Sequence, residues 1–307
     1  MRIKQIFWSS PVMNRLSIRY NGGWMEKKYN LMGQCLSCLL LKQLYPQVDL
    51  ITDDAGKRLL VDRLQLPYDE VTTDLNAMPP YHDDLWSAAK LYAYSLQKEP
   101  FLHVDGDLFL YKRPGIDKED SPVVVQANVG FDEGHYNYLL NCIQRFSLIS
   151  GSNYPKPVGT RNPRGYAFGI FGGNDTGFIS EFAKAGLSFF NRNIDLINKA
   201  MIFISGDSVI PSNDLQAFTH INLMLESYFL HQFTQRTARE ITSLFEDLFS
   251  FPPVSDRFLG KNAKQSYLYP LYNKKDPLFC RQLEFRLRND FPDYYYSITS
   301  ATQEFIV

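Results

Sequence analysis

Phe101-Leu102-His103-Val104-Asp105-Gly106-Asp107-Leu108-Phe109-Leu110 is the stretch on which the reading of this chain turns. The apolar run has the look of a buried β-strand, and two carboxylates one residue apart interrupt it. Carboxylates at the end of a buried strand are costly unless a cation meets them there. Residues i and i+2 of a strand face the same way, so both side chains converge on one point. Gly106 lets the backbone bend and a ligand come close. Hard oxygen ligands suit Mg²⁺ or Mn²⁺, and a divalent ion carrying a diphosphate is the natural occupant.

Working outward, strands and helices alternate from the N-terminus. Ile3 to Trp8 reads as a strand, Lys27 to Tyr45 as a helix closed by Pro46, and Val48 to Thr52 as a second strand ending in Asp53-Asp54. Ala55 to Leu64 suits a short helix and Tyr68 to Thr72 a short strand. His82 to Lys98 repeats Leu85, Ala89, Tyr92 and Leu96 at helical spacing, with Asp83 and Asp84 as capping residues. Further strands are expected at 122–127 and 166–171, and further helices at 132–147, 177–191, 221–232 and 238–249; 150–165 reads as a loop. This alternation predicts an α/β sheet with parallel neighbours. The expected organisation is a catalytic domain over residues 1–250 and a C-terminal extension over 251–307 that packs on it.

Composition narrows the classes. A 307-residue chain with 45% apolar and 21% charged residues has ample material for a core. Its formal net charge of −1 and scattered basic residues disfavour nucleic acid as a partner. Cys35 and Cys38 make a CxxC spacing, but they sit in an apolar helical run with no matching second pair, which predicts buried small hydrophobes rather than a zinc or redox site. No stretch has the roughly 18 apolar residues of a membrane span. A cytoplasmic protein is the expectation, with peripheral membrane attachment left open.

A helix, a short stop, an apolar strand and Asp-x-Asp together resemble the DXD signature of nucleotide-sugar-dependent glycosyltransferases of the GT-A fold, closest to the glycogenin-like and the capsular or mannosyl-type retaining families. In these families the preceding helix carries Ser-Asp-x-x-Arg; here Ser87-Ala88-Ala89-Lys90 stands in that place, and His103 stands where a Tyr is usual. Phe171-Gly172-Gly173-Asn174-Asp175 matches a turn that contacts the donor sugar. Phe258-Leu259-Gly260-Lys261-Asn262-Ala263-Lys264 resembles the C-terminal His-x-x-Gly-x-x-Lys segment, with Arg257 in the His slot.

The resemblance implies a GT-A-like, Rossmann-type three-layer sandwich with a helical C-terminal extension. It implies metal-dependent, retaining transfer from a nucleotide-diphospho-sugar, most simply a UDP-sugar, to a glycan, lipid or protein acceptor. Asp105 and Asp107 would hold Mn²⁺ or Mg²⁺. Phe7, Trp8, Ser9 and Asp53 would line the nucleoside, because ligands of open α/β sheets lie at the carboxyl ends of strands. Lys90, Gly260, Lys261 and Lys264 would meet the diphosphate, and Gly172, Gly173 and Asn174 the sugar. Asp175 and Glu226, the latter interrupting an apolar helix, are the candidate site carboxylates.

Each residue also has a structural reading. Asp53-Asp54 is as readily a helix cap, Gly172 to Asn174 a turn, Lys90 a solvated lysine, and 257–264 a solvated loop. Two alternative functions fit the same motif: a non-catalytic sugar-nucleotide-binding protein, and a haloacid-dehalogenase-type phosphohydrolase with Asp105 as nucleophile.

Overall fold

The computed structural model describes residues 1–15, 17, 19–130, 164–205, 221–245, 267–268 and 273–303. The chain divides into two compact units: 1–76 with 103–116 and 249–307, and 77–102 with 117–248. The class is α/β and Rossmann-like, as the alternation of elements predicts.

In the first unit, strands β1 (Arg2–Phe7), β2 (Val48–Thr52) and β3 (Val71–Thr72) run parallel in the order β3-β2-β1. β1 alternates half-buried and buried residues, while β2 is buried throughout, as a central parallel strand must be. Helix α1 (Ser9–Met13) follows β1. Helix α2 (Lys27–Leu44) is buried continuously from Tyr29 to Leu41, so it is a core helix rather than an amphipathic surface one. Its last turn closes where the Tyr45 amide donates to the Leu41 carbonyl, and Pro46 ends it.

α2 sits in a cluster with Phe7, Trp24, Leu50, Leu59 and Leu60, and with Phe279, Cys280, Leu283, Leu287 and Ile298 from helices α8 (Pro277–Asp290) and α9 (Pro292–Gln303). Cys35, Cys38 and Cys280 are free thiols inside this core, as expected for the CxxC pair. Burial pushes the Cys35 thiol well up and the Cys38 thiol up to about 12. Neither is a ready thiolate.

Strand β4 (Phe101–Val104) is buried at all four positions and passes from the second unit into the first. After it come the Asp105-Gly106-Asp107 turn, strand β5 (Phe109–Leu110), paired antiparallel with β9 (Tyr267–Leu268), and the short helix α5 (Ile116–Glu119).

The second unit holds helix α4 (Trp86–Leu96), strand β6 (Val124–Gly130), strand β7 (Arg164–Gly173), the long helix α6 (Thr176–Ser205), helix α7 (Phe229–Thr237) and strand β8 (Thr242–Phe245). β7 and β6 are antiparallel and β6 and β8 parallel, giving the order β7-β6-β8. Its core is aromatic: Phe171 lies 5.0 Å from Tyr94 and 4.6 Å from Phe168, ring to ring. Each such fully buried ring contributes about 2–3 kcal/mol.

Two sequence expectations need correction. The described part of the helix expected at 238–249 is not helical: Thr242–Phe245 is a strand, because pairing with Val124 to Ala127 of β6 satisfies its backbone and overrides the helical spacing of the segment's apolar residues, and 246–249 lie outside the described residues. Asp83 and Asp84 do not cap α4 either. The N-cap is Leu85, and the Ser87 amide is taken by Asn222 Oδ1 at 3.1 Å, a residue remote in sequence. Asn222 also accepts from Ser87 Oγ and donates to the Asp84 carbonyl, so it closes the helix start that a local aspartate was expected to close. The expected helix at 132–147 and nearly all of the loop at 150–165 lie outside the described residues.

Candidate functional site

The Asp105-Gly106-Asp107 turn belongs to the first unit, and buried polar side chains build it from beneath. Gln5 of β1 donates to Ser37 Oγ of α2 at 2.9 Å, and Ser37 donates to the Leu108 carbonyl at 2.8 Å and lies 3.3 Å from that of Asp105. The Tyr68 hydroxyl donates to Gln5 Oε1 at 2.7 Å and accepts from Gln34 Nε2 at 3.0 Å. The Leu108 amide closes the turn onto the Asp105 carbonyl at 3.0 Å. Gln34 packs so tightly under the turn that a Cβ on Gly106 would fall 1.6 Å from its Oε1. Glycine is required there by contact with α2.

Both carboxylates meet nitrogen partners from this unit. Asp107 Oδ2 is ion-paired with the Lys274 ammonium, whose side chain is only 6% exposed. Lys274 Nζ also donates to the Gly22 carbonyl at 3.1 Å and lies 5.8 Å from the centre of the Trp24 ring. Burial lowers the pKa of Lys274 from the ordinary lysine value, and Arg19 adds to the effect, while Asp107 and Asp105 oppose it.

Asp105 Oδ1 meets His103 Nε2 at 2.8 Å, and His103 Nδ1 lies 3.2 Å from the Lys4 carbonyl. Both ring nitrogens therefore face oxygen atoms, which fixes the ring's orientation beneath the turn. The side chains of Asp105 and Asp107 keep 14% and 18% of their surface exposed, so the turn is reachable from solvent.

The backbone around Lys274 is specialised. Asn21, Gly22 and Gly23 have φ of 57°, 65° and 80°, three successive left-handed residues. The Met25 amide donates to the Lys274 carbonyl at 3.1 Å, locking this loop to residue 274. A Cβ at Gly23 would lie 3.9 Å from both Arg19 Nη1 and Lys274 Cδ, so the two cationic side chains run past the same point.

The other first-unit candidates are Phe7, Trp8, Ser9 and Asp53. Phe7 is in the core and Trp8 is the N-cap residue of α1. Asp53 Oδ2 accepts from the Ser9 amide at 3.0 Å and from Ser9 Oγ at 2.7 Å. Its Oδ1 accepts from the Gly56 amide at 2.7 Å, capping helix α3 (Asp54–Lys57). The cap reading of Asp53 is thus seen directly, and the same carboxylate ties the ends of β1 and β2 together.

Lys90, Gly172, Gly173, Asn174, Asp175 and Glu226 belong to the second unit. Lys90 Nζ and Glu226 Oε1 form an ion pair at 3.4 Å, their side chains 13% and 7% exposed, so Lys90 is not a solvated surface lysine. Glu226 sits in a widened helical turn over Met224–Tyr228, a geometry frequent at functional sites. A Cβ at Gly172 would lie 2.1 Å from the Phe101 carbonyl, and one at Gly173 2.2 Å from that of Pro122. These glycines let β7 run close to its neighbours and turn into α6. Asp175 Oδ1 accepts from the Phe178 amide at 3.0 Å, and its Oδ2 pairs with Arg239 at 3.1 Å. Gly260, Lys261 and Lys264, and Arg257 beside them, lie outside the described residues.

The sequence reading missed Lys274, Arg19, Trp24, Gln5, Gln34, Ser37 and Tyr68. Gln5, Gln34 and Ser37 carried a signal, being polar in otherwise apolar elements. Lys274 carried none, since only the fold brings it to the turn.

Among the described residues no group of three or more His, Cys, Asp and Glu is placed to hold a metal ion, and no helix is long and apolar enough to cross a membrane. The two carboxylates are hard donors of the kind Mg²⁺ or Mn²⁺ prefers. An oxygen of each is nevertheless already taken, by the His103 ring and the Lys274 ammonium, and as arranged they do not fit a divalent ion.

Comparison with known proteins gives little beyond family membership. No curated protein matches the chain. A solved structure, mouse xyloside xylosyltransferase 1 in its apo form, aligns at 10% identity over 72% of this chain and 81% of that one, with a TM-score of 0.32. A family profile, described as a family of unknown function, matches residues 1–301. With that match spanning nearly its whole length, the chain belongs to the family of unknown function DUF6734.

Proposed function

We propose that the protein is a glycosyltransferase that takes a sugar from a nucleotide-diphospho-sugar, a UDP-sugar in the simplest case. The observation that carries this reading is the Asp105-Gly106-Asp107 turn: two solvent-reachable carboxylates at the carboxyl end of a fully buried strand, with Lys274 on Asp107. Carboxyl ends of strands are where α/β sheets of this kind take their ligands. The Rossmann-like arrangement of β1, β2 and β3 supports it, as does the Ser9–Asp53 clamp that joins two further strand ends.

In this reading the nucleoside lies against Phe7, Trp8 and Ser9, with Asp53 holding Ser9 in place. The bond between the anomeric carbon and the distal phosphate oxygen breaks, and its electron pair leaves with the diphosphate. The acceptor hydroxyl oxygen bonds to the carbon, and its proton passes to the departing phosphate, as retention on one sugar face requires. Negative charge grows on the leaving diphosphate, so a fixed cation directed at it lowers the barrier.

The test is a thermal-shift screen of the full chain against UDP-, GDP- and CMP-sugars, with and without Mn²⁺. Binding stabilises the folded state by mass action, so a donor at about 100 times its Kd raises stability by roughly 2.7 kcal/mol. A rise with at least one UDP-sugar that disappears in Asp107→Ala is expected. No rise across the whole panel overturns the reading.

A further inference from the structure

We infer that Lys274 is the cation that meets the donor diphosphate, so that nucleotide binding requires no divalent ion. This inference rests on the proposed function but separates from it, since a metal-dependent glycosyltransferase would satisfy that reading and contradict this one.

A pair of carboxylates recruits a divalent cation when nothing else balances them. Here each already has a partner from within the chain, Asp105 the His103 ring at 2.8 Å and Asp107 the Lys274 ammonium. An ion that entered between them would have to displace a buried ammonium that the fold holds in several ways. Its carbonyl accepts the Met25 amide, its Nζ donates to the Gly22 carbonyl, and Trp24 lies 5.8 Å from that nitrogen. Three successive left-handed residues, Asn21 to Gly23, are kept in the loop that makes these contacts. Conformations of that kind are costly, and they persist where a site needs them.

Donor geometry completes it. An ammonium has three N–H donors. Among the described residues two of its acceptors are Asp107 and the Gly22 carbonyl, which leaves a third N–H for a phosphate oxygen. Arg19 runs past Gly23 alongside Lys274, so a second cation lies close by. Asp107 holds the ammonium in position, and the ammonium takes the place a metal would occupy against the diphosphate. Lys274 is on this account a binding residue, and Asp107 a positioning residue that acts through it.

The experiment is calorimetric titration of the full chain with UDP, in EDTA and separately with Mn²⁺, for wild type, Lys274→Met and Lys274→Arg. The unfolding temperature of each variant without ligand shows whether it is folded. Wild type is expected to bind UDP in EDTA within about threefold of its affinity with Mn²⁺. Lys274→Met should lose about tenfold or more in EDTA, the size of one charge-assisted contact, and Lys274→Arg should recover most of it.

Wild-type binding that appears only with Mn²⁺ overturns the inference and leaves the proposed function standing. Metal-free binding that Lys274→Met leaves unchanged overturns the assignment to Lys274. UDP that fails to bind under either condition overturns both. The wild-type titrations alone decide the metal question, so a variant that fails to fold does not protect the inference.

Discussion

The aspartates that follow β2, β4 and β7 are used in two ways. Asp53 after β2 and Asp175 after β7 each spend an oxygen on the first turn of the following helix, accepting the Gly56 and Phe178 amides. Asp105 and Asp107 after β4 are followed by a turn and a short strand, and their carboxylates meet a histidine and a lysine instead. The first use satisfies backbone donors that every helix start leaves open. The second gathers a histidine and a lysine side chain around two carboxylates at a surface-reachable point. An aspartate at a strand end therefore says little until the next element is known.

The largest expected effect tests the charged turn. Asp107→Ala leaves a buried ammonium without its counter-ion and should lower stability by about 3 kcal/mol in urea unfolding. Asp53→Ala removes the cap bond and both bonds to Ser9, and about 2 kcal/mol is expected. The division between the two uses fails if Asp53→Ala proves the more costly.

Asp175→Ala loses one cap bond and an ion pair to the well-exposed Arg239, for about 1 kcal/mol in the same measurement. Asp54→Ala, exposed in the first turn of α3, should change stability by no more than about 0.5 kcal/mol. A loss as large as that of Asp53→Ala would show that the adjacent carboxylates share the cap.

Much of the fold was legible because local chemistry decides it. Pro46 and the apolar run before it mark α2, and the buried run Val48 to Thr52 marks β2. Where a remote partner decides, local reading fails. β8 lies in a segment whose apolar residues Ile241, Leu244, Phe245 and Leu248 have helical spacing, and it is a strand because β6 offers it a partner. The start of α4 has two aspartates suited to capping and is closed by Asn222.

The candidate site divides the same way. Its carboxylates were visible as charges in an apolar strand, and Gly106 as the residue allowing close approach. Lys274 was invisible, because an ordinary lysine becomes a site residue only when the loop at Asn21 to Gly23 and the turn after β4 are folded around it. The polar ladder of Gln5, Gln34, Ser37 and Tyr68 lay in between: odd in composition, but without meaning until its common target was seen.

The central claim is sugar transfer from a nucleotide donor at the Asp105–Asp107 turn. Its most direct measurement is the release of free UDP from UDP-sugars by the full chain, comparing wild type with Asp107→Asn at a temperature where both are folded. Slow release by wild type that falls by about 100-fold or more in the variant is the predicted result. Equal release by the two proteins, or none from any donor, would contradict it.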